Sequence, residues 1–168
     1  MNLQDKSVLV LGMGETGLSM VKWLSRMKAK IRVADSRTEP PNWDELRVTF
    51  PSLEMFKGKF AEHLFDGIEM IAISPGVPRK EPYVQQAIAR GIPVVGDITL
   101  FSWALDELAT PRPKILAITG SNGKTTVTTM TGELLKKAGW DVEVAGNISP
   151  AVLDALMKRI DAGKLPQA

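Results

Sequence analysis

Short apolar runs alternate along the chain with segments in which apolar residues recur every three or four positions. The continuous runs are typical of buried strands, and the wider recurrence is typical of helices that bury one face. The runs predict strands at residues 7–11, 31–34, 53–56, 68–73, 92–95, 115–118 and 142–145. The recurrence predicts helices that contain Met20, Trp23, Leu24 and Met27; Val84, Ala87 and Ile88; residues 97–108; Val127, Met130 and Leu134; and Leu153, Leu156, Met157 and Ile160. This alternation predicts an α/β fold with a parallel sheet.

The first strand runs into the sequence Gly-Met-Gly-Glu-Thr-Gly at residues 12–17 and then into a helix. Asp35 ends the next strand about twenty residues later, where dinucleotide-binding folds place a carboxylate for a ribose hydroxyl. Asn42 is predicted to cap a short helix that reaches Phe50. The pattern predicts a Rossmann-like domain, and its simplest interpretation is an NAD-dependent oxidoreductase. The glycines alone are weak evidence, because any nucleotide pyrophosphate or a tight strand-to-helix turn favours them too.

A second phosphate-binding pattern lies between a predicted strand and a predicted helix, at residues 119–126. Its glycines allow backbone N–H groups to turn toward a phosphate, and its lysine supplies a positive charge. Thr125 offers a hydroxyl to Mg²⁺. The candidate ATP-binding residues are Gly120, Ser121, Asn122, Gly123, Lys124, Thr125 and Thr126. The spacing differs from the usual P-loop, which has four residues between its glycines, so a simple turn is the alternative.

The amino-acid composition argues against several classes of protein. The 168 residues carry a net charge of +2 without a basic tract, which gives little support to nucleic-acid binding. The sequence contains no cysteine, which excludes disulfides and thiolate chemistry. No apolar run is long enough to cross a bilayer. We therefore expect a monomeric cytoplasmic protein that binds no membrane.

Two prolines, Pro111 and Pro113, favour an extended connector rather than a helix. They predict a Rossmann-like domain at residues 1–110 and the start of a P-loop-type ATPase domain at 111–168. After Thr125 the sequence offers neither several further strands nor a second acidic magnesium ligand on another strand. We therefore expect the chain to be the N-terminal part of a longer protein.

Several motifs together resemble the N-terminal portion of a Mur ligase, most closely the branch of that family that adds D-glutamate in bacterial peptidoglycan synthesis. The motifs are residues 12–19, Ser74-Pro75-Gly76, Gly96-Asp97-Ile98, residues 119–129 and Gly146-Asn147-Ile148. The shortened phosphate loop is a property of this family. The resemblance covers nearly the whole chain and implies that the first domain holds UDP rather than NAD.

The resemblance also implies a role for individual residues. Residues 14–17, which are Gly14, Glu15, Thr16 and Gly17, would approach the pyrophosphate of the UDP-linked substrate. Asp35, Ser36 and Arg37 would lie near the uridine, and Gly76 with Asn147 would contact the sugar-peptide part. Lys124 is the implied catalytic residue and Thr125 the implied magnesium ligand.

The implied reaction is ATP-dependent and forms an amide through an acyl phosphate. Its substrates would be UDP-N-acetylmuramoyl-L-alanine, D-glutamate and ATP, with Mg²⁺. The rest of the catalytic machinery lies further along in this family, so we expect the 168 residues alone to be inactive. Two alternatives stay open, an NAD-dependent oxidoreductase and a nucleotide-binding regulatory module.

Overall fold

A computed structural model describes residues 2–108 and 112–164. These residues form two compact units, one that ends at Leu100 and one that begins at Phe101. The predicted domain boundary after residue 110 lies at residues outside the described ranges.

The first unit contains a five-stranded parallel sheet in the order β3-β2-β1-β4-β5. Its strands are β1 (Ser7–Leu11), β2 (Lys30–Asp35), β3 (Glu54–Lys57), β4 (Met70–Ile73) and β5 (Val94–Val95). Its helices are α1 (Glu15–Arg26), α2 (Trp43–Thr49) and α3 (Pro82–Ala89), with a 3₁₀ turn at Glu62–Phe65. Helix α4 (Asp97–Leu108) begins in this unit and continues past its end at Leu100. The α/β prediction is confirmed, and the strand order is that of a Rossmann unit.

The core of the first unit lies on both faces of the sheet. β1 and β4 are buried almost throughout, which explains why their sequences are continuous apolar runs rather than alternating ones. Leu9 and Ile71 lie on the face that packs against the 3₁₀ turn and α3. Because successive strand residues point to opposite faces, Val8 and Val10 lie on the other face. The connection from β1 to β2 crosses the sheet in one direction and the connections from β3 to β4 and from β4 to β5 cross it in the other. Because such crossovers are right-handed, α1 lies on the face opposite the 3₁₀ turn and α3.

Asn42 occupies the N-cap position of α2 as predicted, but its side chain makes no capping hydrogen bond. The expected cap is therefore wrong in its chemistry. The side-chain amide instead donates a hydrogen bond to the carbonyl oxygen of Met13, 29 residues earlier in the chain.

The second unit contains two further helices, α5 (Lys124–Lys137) and α6 (Val152–Asp161). Within its described residues there is no strand, so the predictions of strands at 115–118 and 142–145 are wrong. A strand needs neighbours that satisfy its backbone N–H and C=O groups, and these two segments do not pair. As a result Ile115 and Leu116 are 54% and 60% exposed.

The two helices of the second unit differ in how well they are packed. α6 buries Leu153 and Leu156, as its apolar stripe predicts. α5 contacts Val144 through Gly132, where an added Cβ would approach the valine side chain to 2.5 Å. The predicted apolar stripe of α5 stays in solvent, with Val127, Met130 and Leu134 at 50%, 58% and 65% exposure.

Candidate nucleotide-binding site

Three loops of the first unit converge at one edge of its sheet. They follow β1 at residues 12–14, β2 at residues 35–37 and β4 at residues 74–76. In a parallel sheet these carboxyl ends lie side by side, and ligands bind where the strand order reverses. Here the order reverses between β1 and β4, so the glycine loop lies at that crevice.

The three glycines of the loop have two different roles. Gly12 adopts a φ of +97°, and a Cβ there would lie 2.9 Å from the Ser74 side chain. A Cβ on Gly17 would lie only 1.9 Å from the Gly12 carbonyl oxygen. Gly14 has open space around it. Gly12 and Gly17 are therefore required for packing of the loop on its own fold, and Gly14 leaves room for an incoming group.

Gly14 is also the N-cap of α1, and no side chain caps that helix. The first N–H groups of a helix have no partners inside it, and together with the helix dipole they attract anions. Residues 15–17 supply these N–H groups. The structure thus places the predicted residues 14–17 in an arrangement that suits a pyrophosphate.

Asp35 lies at the end of β2 and is 2% exposed. Its Oδ1 accepts hydrogen bonds from the Arg37 backbone N–H and Nε, both at 2.9 Å. Its Oδ2 accepts from Arg37 Nη2 at 2.6 Å and from the Met13 N–H at 2.7 Å. A carboxylate has about four acceptor positions, so all are in use. A ribose hydroxyl, whether of NAD or of uridine, would bond to Asp35 only in exchange for one of these donors.

The same contacts set the protonation of Asp35. Burial would raise the pKa of this carboxyl, but the hydrogen bonds from Arg37 and Met13 and the charge of Arg37 outweigh it and hold the pKa below the ordinary value of 3.8. The carboxylate in turn raises the pKa of Arg37. Arg37 keeps a side chain that is 54% exposed. The group that this loop presents to solvent is therefore a cation, held in place by a buried anion.

Met13 is fixed at three points. Its side chain is fully buried, its N–H donates to Asp35, and its carbonyl oxygen accepts from Asn42 Nδ2 at 3.0 Å. The sequence analysis did not identify Asn42 or Met13 as part of the site. Asn42 lies 29 residues from Met13, and no local pattern reports a contact at that separation.

The loop after β4 contributes the third side of the crevice. Ser74 is buried, and its Oγ donates to the Gly12 carbonyl at 3.5 Å. Gly76 follows in an exposed position with open space where a Cβ would be. The fold thus brings Gly76 to the same sheet edge as the glycine loop and Arg37.

The second phosphate-binding pattern lies in the other unit and is exposed throughout. Gly123 is the N-cap of α5 in a left-handed conformation with φ +75°, which only glycine adopts without strain. Lys124 Nζ donates to the loop carbonyls of Gly120 and Ser121 at 2.5 Å and 3.3 Å. The lysine thus closes its own loop, and the first N–H groups of α5 have no side-chain cap.

Metal ligands are sparse in the described ranges. No group of three or more His, Cys, Asp or Glu side chains that could hold a metal occurs there. Thr125 is exposed at the first turn of α5. Because Mg²⁺ usually keeps several waters and binds through phosphates and one or two protein groups, a single hydroxyl beside a phosphate loop fits that ion. Asn147 lies in the same unit and is exposed.

The strand order and the glycine loop define an α/β unit of the Rossmann type. Comparison with known proteins then identifies its family. Residues 6–96 match the model of the Mur ligase MurD-like N-terminal domain, and residues 118–162 match that of the Mur ligase middle domain. The chain belongs to the Mur ligase family.

Two relatives with assigned names are similar over the whole chain. The UDP-N-acetylmuramoylalanine–D-glutamate ligase of Nitrosospira multiformis is 61% identical over 100% of this chain and 36% of its own length. The protein of the same name from Nitrosomonas europaea is 62% identical over 99% of this chain and 35% of its length. The chain therefore spans about a third of the relatives that it matches.

Solved structures support the fold. A pseudomurein peptide ligase from Methanothermus fervidus aligns with a TM-score of 0.54 and 20% identity over 90% of this chain and 31% of its own. A UDP-N-acetylmuramate–alanine ligase from Thermotoga maritima aligns with a TM-score of 0.50 and 20% identity over 80% of this chain and 30% of its own.

Among the described residues, no helix is both long and apolar enough to span a membrane.

Proposed function

We propose that this chain is the part of a UDP-N-acetylmuramoylalanine–D-glutamate ligase that holds the UDP moiety of the substrate and begins the ATP site. The observation that carries the proposal is the identity of about three-fifths with relatives of that name along the whole chain. The crevice supports a nucleotide site independently, because the glycine loop at the start of α1 suits a pyrophosphate.

In the proposed UDP site the N–H groups of Gly14, Glu15, Thr16 and Gly17 bind the pyrophosphate. Arg37, Ser36 and Asp35 lie beside the uridine. Arg37 is the exposed cation of this group, and a direct contact of Asp35 with the ligand requires the exchange of one of its four hydrogen bonds. Gly76 contacts the sugar-peptide part of UDP-N-acetylmuramoyl-L-alanine.

The proposed reaction joins a carboxylate to an amine. The alanine carboxylate has no leaving group, so its oxygen first takes the γ-phosphoryl group of ATP to give an acyl phosphate and ADP. The nitrogen of D-glutamate then attacks the acyl carbon, the C–O bond to phosphate breaks, and the amine loses a proton. Mg²⁺ would supply charge neutralisation at the phosphates.

Lys124 is the proposed catalytic residue of this chain. Its ammonium would exchange the carbonyls of Gly120 and Ser121 for a phosphate oxygen, and the N–H groups at the start of α5 would hold the same phosphate chain. Thr125 would offer its hydroxyl to Mg²⁺. Removal of one donor from such a site costs about 3 to 4 kcal/mol of transition-state stabilisation in other enzymes. We propose that the 168 residues alone form no amide, because the relatives are almost three times longer.

Calorimetry tests this proposal. The chain is titrated with UDP, with UDP-N-acetylmuramoyl-L-alanine and with NADH. We expect both UDP compounds to bind at one site per chain and the muramoyl compound to bind at least as tightly as UDP. Binding of NADH in place of UDP would contradict the proposal and favour the oxidoreductase. An amide product formed by the chain with ATP and both substrates would contradict its proposed inactivity.

A further inference from the structure

The side chain of Asn42 holds the backbone of the glycine loop instead of capping its own helix. It lies at the N-cap of α2, where an asparagine usually accepts a hydrogen bond from its own helix. Its amide instead donates to the Met13 carbonyl at 3.0 Å, and the helix keeps no side-chain cap. Asn42 thus has a side chain that suits helix capping, but it bonds to the glycine loop instead.

The bond from Asn42 fixes the direction of the next N–H group. The Met13 carbonyl and the Gly14 N–H belong to one trans peptide, in which the two groups point in opposite directions. When Asn42 holds the carbonyl toward α2, the Gly14 N–H must point away from α2. The N–H of Met13, on the preceding peptide, is held separately by Asp35 at 2.7 Å.

We infer that Asn42 is a positioning residue for the phosphate part of the ligand. It contacts no ligand itself, and it acts through the Met13–Gly14 peptide by presetting the first N–H group of the anion site. Gly14 cannot supply this orientation, because it has no side chain and open space around it. The inference rests on the proposed function, since it assumes that a nucleotide diphosphate binds at this loop.

Asn42→Ser tests the inference. Serine is as good an N-cap as asparagine, so α2 is not weakened, but its hydroxyl is one bond shorter and does not reach the Met13 carbonyl. Asp44→Ser is the matched control, because Asp44 is an exposed polar residue in the first turn of the same helix. Both variants and the wild-type chain are titrated with UDP and with uridine, and Gly14 is followed by its amide NMR signal.

We expect Asn42→Ser to weaken UDP binding about fivefold, the equivalent of one neutral hydrogen bond. Uridine binding should not change, because uridine has no phosphate for the Gly14 N–H to meet. The Gly14 amide signal should move in this variant and stay in place in Asp44→Ser. A merely structural role would weaken UDP and uridine equally.

Three results would overturn the inference, and they can be told apart. If the wild-type chain binds no UDP, the proposed function fails and the inference fails with it. If the wild-type chain binds UDP and Asn42→Ser binds it equally well, only the positioning role is wrong. Equal loss of UDP and uridine in Asn42→Ser also contradicts it. Thermal melts of the variants separate such a loss from unfolding.

Discussion

The two units carry the same local pattern, an apolar run, a glycine loop and a helix, but they use it differently. In the first unit the run becomes β1 between two parallel neighbours, and its loop is anchored by Asp35, Asn42 and Ser74. In the second unit residues 115–118 are not a strand, and the loop is closed by its own Lys124. A phosphate-loop sequence therefore specifies the loop and the helix start, while the neighbouring strands determine how firmly the loop is held.

We expect the two units to differ most in how far a leucine-to-alanine substitution lowers the free energy of unfolding. Leu9→Ala removes a fully buried side chain at the centre of the sheet, and we expect the free energy of unfolding to fall by about 3 kcal/mol. Leu134→Ala, on the exposed face of α5, should change it by less than about 0.5 kcal/mol. Urea denaturation followed by fluorescence measures both. A large cost for Leu134→Ala would mean that the apolar face of α5 is covered in solution.

Two glycines of the anchored loop, Gly14 and Gly17, differ in the space that a Cβ would find. Gly17→Ala places a Cβ against the Gly12 carbonyl and should destabilise the first unit by about 2 to 3 kcal/mol. Gly14→Ala meets no atom and has an ordinary φ of −77°, so it should keep the fold and weaken UDP binding. Parallel melts and UDP titrations check this pair. Equal stability of the two variants would contradict the packing role of Gly17.

The lowered pKa of Asp35 predicts how the stability of the first unit changes with pH. Its folded pKa is lowered, so its contribution to stability is present above the unfolded value and is lost as the pH falls through the folded pKa, below 3.8. Asp35→Asn should cost about 2 kcal/mol at neutral pH. The difference between wild type and variant should shrink below pH 4. Urea midpoints measured from pH 7 to pH 3 give the curve, and a difference that is independent of pH would contradict the ionised pair.

Substitution of Lys124 should hardly change the free energy of unfolding, but it should remove ATP binding. Its side chain is exposed, so Lys124→Ala should change the free energy of unfolding by less than about 0.5 kcal/mol. We expect the variant to lose any affinity for ATP with Mg²⁺ and to keep its affinity for UDP. Lys137→Ala, at the other end of the same helix, is the control. Equal loss of both ligands in calorimetry would mean that the two sites are not separate.

The sequence predicted most of the first unit because its signals are local. The strand at residues 7–11, the loop at 12–17 and Asp35 at the end of β2 each follow from short-range patterns. The strands at 115–118 and 142–145 were wrong because strand formation depends on partners that a local pattern does not report. The use of Asn42 to hold Met13 was missed for a similar reason, since the contact joins residues far apart in sequence and replaces the local cap.

The proposed UDP site at the glycine loop of the first unit is tested by a titration of the isotope-labelled chain with UDP, followed by amide NMR. We expect saturable shifts at residues 14–17 and 35–37 and none at residues 120–126. NADH should cause no such shifts. Shifts confined to residues 120–126, or NADH shifts at Asp35, would contradict the proposed site.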